Sequence, residues 1–154
     1  MVMKTSKVLL IACLALTPLA GLSQGSTTEA KSEVVRAFVD AFNAHDPAAM
    51  AALVTDDIKW LSVNASSISI EVEGKAALTA AVGDYFESCP TCRSAIHSMM
   101  SSGERVSVVE VASWVGRDGP RSQRSMAVYE FAGSLIQGVY YFPEEPDPGH
   151  PNAQ

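Results

Sequence analysis

The sequence predicts an α+β domain: three helices in the first half, followed by a strongly curved antiparallel sheet that wraps them and leaves a pocket at its open end. Two observations carry this. Apolar residues recur at helical spacing only ahead of the cysteine pair at 89 and 92. Four β-rich runs, punctuated by turn residues, fill the stretch from Arg93 to Phe142.

Val34, Val35, Phe38, Val39 and Phe42 share one helical face, so the first helix starts near Glu33. Asp46-Pro47 ends it and opens a short second helix, with Asp46 as N-cap and Pro47 in the first turn. Ile58 to Val63 reads as a strand, and Ile68, Ile70 and Val72 alternate with Ser69 and Glu71 as a second. Gly74 opens a third helix that aligns Leu78, Val82, Tyr85 and Phe86. The four later strands are split at Ser102-Gly103, at Arg117 to Pro120 and at Ala132-Gly133. Neither repeats nor a second domain are expected.

The N-terminus has the layout of a secretory signal peptide. Lys4 and Lys7 precede an apolar run from Val8 to Leu16, and small residues at Gly21 and Ser23 suit cleavage before Gln24. The competing reading is an uncleaved anchor, but Pro18 interrupts the run at about half of the roughly 20 apolar residues that a span requires. The expected organisation is a signal peptide over 1–23, a flexible arm over 24–32, a domain over 33–143 and a disordered tail over 144–154. This layout implies a secreted or periplasmic location. Removing 1–23 leaves 131 residues with 9 basic and 17 acidic side chains, a formal charge of −8. That balance disfavours nucleic acid and, after signal cleavage, anionic membrane as partners. The charge argues for solubility and is silent about fold.

Cys89 and Cys92 are the cysteines left after cleavage. An oxidising compartment makes them a disulfide clip. A redox centre is the alternative for a CxxC motif, although such centres sit at a helix N-terminus, and this pair comes after a helix. No metal-ligand spacing is present, and no cofactor is expected. Asn64-Ala65-Ser66 fits a glycosylation acceptor, a triplet frequent by chance.

Phe38-Val39-Asp40-Ala41-Phe42-Asn43-Ala44-His45-Asp46, then Leu53-Val54-Thr55-Asp56-Asp57-Ile58, resembles the opening of NTF2-like proteins of the SnoaL-like and steroid-isomerase-like groups. Gly74 and the closing Tyr129-Glu130-Phe131 and Leu135 to Phe142 extend the resemblance over most of the chain. It implies the NTF2-like cone, a fold that hosts isomerases, cyclases, hydrolases and non-catalytic modules alike. The steroid isomerases of this group carry a tyrosine on the first helix, a carboxylate on the first strand and a protonated carboxyl on the penultimate strand. Phe38, Ser62 and Ala127 stand at those places here, so a ketosteroid-type proton shuttle lacks its base and its oxyanion donor. An aspartate near Ala127 on which polyketide cyclases rely is missing too.

The resemblance also turns one strand face inward. With Ser102-Gly103 as a two-residue loop, His97 lies opposite Val108 and shares that face with Met99, Val106, Glu110, Ala112 and Trp114. Ala127, Tyr129, Phe131, Gly138, Tyr140 and Phe142 are expected to face inward with them, and Phe38, Phe42, Trp60 and Ser62 complete the pocket. A carboxylate amid apolar neighbours must be paired, protonated or near solvent. His97 is the expected partner, either as an acid/base pair with Glu110 or as a structural contact. Three functions are open: a pocket binding a small, mostly apolar molecule, a cofactor-free isomerase, cyclase or hydrolase using Glu110 and His97, and a dimerisation scaffold. The last would be a homodimer through Ile96, Val109, Val111 and Val115 on the outer sheet face.

Overall fold

The computed structural model describes residues 23–148, with side chains from Thr28 onward. Residues 1–22, most of the expected signal peptide over 1–23, and residues 149–154, His150 among them, lie outside the described residues. In chain order the elements are α1 (Ser23–Asn43), α2 (Pro47–Ala52), β1 (Val54–Asn64), β2 (Ser67–Glu73), α3 (Lys75–Ser88), β3 (Arg93–Ser102), β4 (Arg105–Gly116), β5 (Gly119–Ala132), β6 (Leu135–Tyr141) and the two-residue β7 (Glu145–Pro146). No described helix is long and apolar enough to cross a membrane.

The three helices form where the apolar spacing places them, and their boundaries are set by local chemistry. Asp46 caps α2 by accepting a hydrogen bond from the Ala49 N–H at 2.9 Å, with Pro47 in the first turn. Gly74 precedes α3 with φ 91, a backbone region that a side chain would strain, and its N–H donates to the Ile58 carbonyl at 2.7 Å. The start of α1 differs from the expectation. Residues 24–32 are helical rather than a flexible arm, because tertiary contacts hold a segment of poor intrinsic propensity. Lys31 is buried, donating to the Gly103 carbonyl at 3.1 Å and pairing with Glu104 at 2.7 Å. Ser32 shares a 2.6 Å hydrogen bond with Ser101.

The sheet runs β2-β1-β6-β5-β4-β3, with β7 added on β5. It is curved and unclosed, and it is mixed rather than purely antiparallel. The meander from β3 to β6 brings the chain back beside β1 in the parallel sense, Trp60 opposite Val139 and Ser62 opposite Tyr141. β7 corrects the expected disordered tail over its first residues: Glu145 pairs with Arg124 through backbone and ion pair, and Ser122 donates to Asp147 at 3.0 Å.

Register departs from the expectation at the β3–β4 turn and at two bulges, and each bulge is a single extra residue that reverses the facing of the strand beyond it. The β3–β4 turn is Gly103-Glu104, one residue later than expected, because Gly103 takes the positive φ of 59 that the first turn position demands. A bulge at His97 then sets Ile96 opposite Glu110 and Ser94 opposite Ala112. On β6 the bulge falls at Gln137, with Glu130 opposite Gly138 but Phe131 opposite Ile136. Ile96 therefore packs on the core instead of joining the outer apolar face, where Met100, Val115 and Met126 are exposed.

The core lies between the concave sheet face and the helices: Val35, Phe38, Met50, Leu78 and Phe86 against Val106, Val108, Tyr129, Ile136 and Val139. One polar clamp ties the end of α1 to the start of β3. The Asn43 amide donates to the Ser94 carbonyl and accepts from the Ser94 N–H, both at 2.8 Å. Asn43→Ala removes both bonds from a part-buried site and should cost about 1–3 kcal/mol of folding stability by denaturant titration.

Candidate functional site

Curvature without closure leaves a cavity of about 570 Å³ at the open end of the cone. Phe38 and Phe42 from α1 and Leu78, Val82 and Tyr85 from α3 form its helical wall. Trp60, Ser62, Val72, Ala112, Tyr129 and Tyr141 form the sheet wall. Trp60 and Tyr141 stack with centroids 5.0 Å apart and planes 10° from parallel, joining β1 to β6 across the parallel seam. Phe38 reaches from the helical wall to the sheet wall, its ring centroid 6.4 Å from Trp60 and 6.0 Å from Tyr129.

One carboxylate reaches this cavity from within the core. Glu110 is 5% exposed, and its cost of burial is offset by three hydroxyl donors. Tyr129 donates to Oε1 at 2.5 Å, while Tyr141 at 2.8 Å and Ser94 at 2.9 Å donate to Oε2. The donors come from β5, β6 and β3, so the charge sits where three strands converge on β4. Burial pushes the Tyr129 phenol well above its ordinary value, and the neighbouring Tyr141 and Glu110 push it further. Burial and then Glu110 do the same to Tyr141. Both phenols therefore stay protonated donors far into alkaline pH.

The structure brings Phe38, Phe42, Trp60, Ser62, Glu110, Ala112 and Tyr129 to the cavity. It does not bring the others. His97 is exposed on its bulge, and the expected Glu110–His97 pair does not form; hydroxyls occupy the carboxylate instead. Tyr140 points away, donating to Glu130 at 2.9 Å, because the Gln137 bulge exchanges its place with Tyr141. Val108 and Ala127 are core residues rather than lining, and Trp114 lies beyond the cavity near the β4–β5 turn.

Sequence reasoning missed Tyr141, Ser94, Tyr85, Glu71 and Glu144. The run Tyr140-Tyr141-Phe142 carries an aromatic at every position, so alternation alone cannot say which one faces inward. Glu71 and Glu144 are exposed carboxylates at the cavity rim.

The Cys89–Cys92 disulfide forms, with Cα atoms 5.4 Å apart, at the C-terminal end of α3. The negative end of the helix dipole faces it, which does not favour a thiolate, so the bond reads as a clip at the α3–β3 corner. Tyr85 donates to Cys92 Sγ at 3.2 Å and thereby fixes one cavity wall to the clip.

The tyrosines give stability a defined alkaline limit. Raised folded values mean that their contribution is complete below about pH 10, where unfolded phenols begin to ionise, and is lost as pH climbs through the folded values. Tyr141→Phe should make the fall in melting temperature above about pH 10 less steep than in the parent chain, read by calorimetry across a pH series.

Comparison with known proteins agrees with this geometry. An uncharacterised cystatin-fold protein from Novosphingobium aromaticivorans superposes with a TM-score of 0.65 at 21% identity, covering 73% of this chain and 97% of its own. An NTF2-like protein of unknown function from Burkholderia pseudomallei gives 0.61 at 18% identity, covering 77% and 91%. A protein with a ketosteroid isomerase-like fold from Catenulispora acidiphila, solved in complex with trimethylamine, gives 0.61 at 14% identity, covering 72% and 85%. These superpositions show a shared fold. No curated protein matches the chain in sequence. The model of the SnoaL-like domain matches residues 35–139, the stretch that holds Phe38, Glu110 and Tyr129. The chain belongs to the SnoaL-like domain family, within the NTF2-like fold.

Proposed function

We propose that this protein is an exported SnoaL-like domain that holds a small, mostly apolar molecule in its cone. The observation that carries the reading is the cavity itself: about 570 Å³, lined by six aromatic residues and aliphatic side chains, with Ser94, Tyr129 and Tyr141 converging on Glu110. That volume suits one compact organic molecule, and the convergence of a few polar groups in an apolar cleft is how such sites fix orientation. Export is supported by the disulfide at Cys89 and Cys92 together with the signal-like leader pattern.

A second reading, acid/base chemistry without a cofactor, draws on one observation. Glu110 lines the cavity with a carboxylate that Tyr129 and Tyr141 hold in place. A bound C–H or O–H acid could hand it a proton, and the phenols would stabilise the charge left behind. His97 has no part in that chemistry. Binding without turnover is favoured, since His97, the expected partner of Glu110 in a proton relay, is exposed and outside the cavity lining.

A thermal-shift screen of the protein should rank small apolar ring compounds above sugars and nucleotides, and the opposite order would remove the pocket reading. N-terminal sequencing of chain recovered outside the cytoplasm should begin at Gln24; an intact Met1 there would remove the export reading.

A further inference from the structure

The charge around the cavity is one-sided. Among the described residues three glutamates, Glu71, Glu110 and Glu144, line it, and no lysine, arginine or histidine does. Glu110 differs from the other two in being buried, and its three partners are neutral hydroxyls. Hydroxyls lower the cost of burying a carboxylate but leave its charge uncompensated, whereas buried charges in proteins are ordinarily met by an opposite charge. Oε2 accepts two hydrogen bonds and Oε1 one, so the acceptor capacity of Oε1 is not filled by these partners. Phe38, Trp60, Tyr129 and Tyr141 line the same cavity as this charge, their rings in contact with one another. Aromatic faces carry negative quadrupole potential and attract cations, most strongly where water is excluded. The apolar wall excludes small hydrated metal ions, which need several oxygen ligands, and favours a cation that carries its own hydrocarbon.

The geometry points to an organic ammonium as the ligand class, an amine or quaternary ammonium bearing alkyl or aryl groups. Its charge faces Glu110, its hydrocarbon fills the ring-lined wall, and Glu71 and Glu144 draw it to the mouth. This rests on the pocket reading above and narrows it from apolar molecules in general to apolar cations.

The test compares phenyltrimethylammonium with its neutral carbon isostere tert-butylbenzene, two probes of the same shape, by NMR titration of the protein. The ammonium is expected to bind about tenfold or more tightly. Glu110→Gln should bring the two affinities close together while leaving the isostere bound. Should that variant fail to fold by circular dichroism, Glu71→Gln with Glu144→Gln at the exposed rim takes its place and should narrow the gap about twofold or more. Equal or weaker binding of the ammonium overturns the cation inference and leaves the apolar pocket standing. So does a gap that survives these substitutions in folded protein. If neither probe binds, the pocket reading falls with it.

Discussion

The buried carboxylate of Glu110 is the constraint around which the cone is arranged. A charge 5% exposed in a strand flanked by Val108 and Ala112 is tolerable only if donors reach it, and each of the three donors comes from a different strand. Meeting that demand fixes the facing of β3 through Ser94, of β5 through Tyr129 and of β6 through Tyr141. The same requirement reaches α1, since Asn43 grips the backbone of Ser94 on both sides. A single polar group in the core thus sets the relative placement of four strands and a helix, a degree of specification that interchangeable aliphatic contacts do not supply.

Much of the fold was legible because its signals are periodic or local. Val35, Phe38 and Phe42 at helical spacing, Asp46-Pro47 as a cap, and Gly74 before α3 each act within a turn or two of chain. The mixed character of the sheet was not legible, because nothing in β1 or β6 alone states that they lie side by side. The beginning of α1 was missed for a related reason: Lys31 and Ser32 look like arm residues until the β3–β4 hairpin is there to receive them.

The site was half legible. Glu110 stood out in sequence as a charge among apolar neighbours, and Tyr129 shares its face through unbroken β4–β5 pairing. Beyond that, two bulges decided the outcome. One extra residue at His97 sends the imidazole to solvent and turns Ser94 inward; one at Gln137 exchanges Tyr140 for Tyr141. Alternation is a strict rule only between such interruptions. His97 offers no glycine or turn signal to mark its bulge. Gly138, beside the second, does: a Cβ there would lie 3.1 Å from the Tyr140 ring.

The parallel seam between β1 and β6 has a kinetic consequence. Residues across it are about 80 positions apart, as with Asp57 and Gln137, while the β3 to β6 meander is built from neighbours in sequence. Closing so long a loop is entropically late work, so the hairpins can condense before the first and last strands meet. The stack of Trp60 on Tyr141 spans that join. The ligand chamber, which needs both β1 and β6, is therefore expected to close late in folding, after the hairpins it is built on.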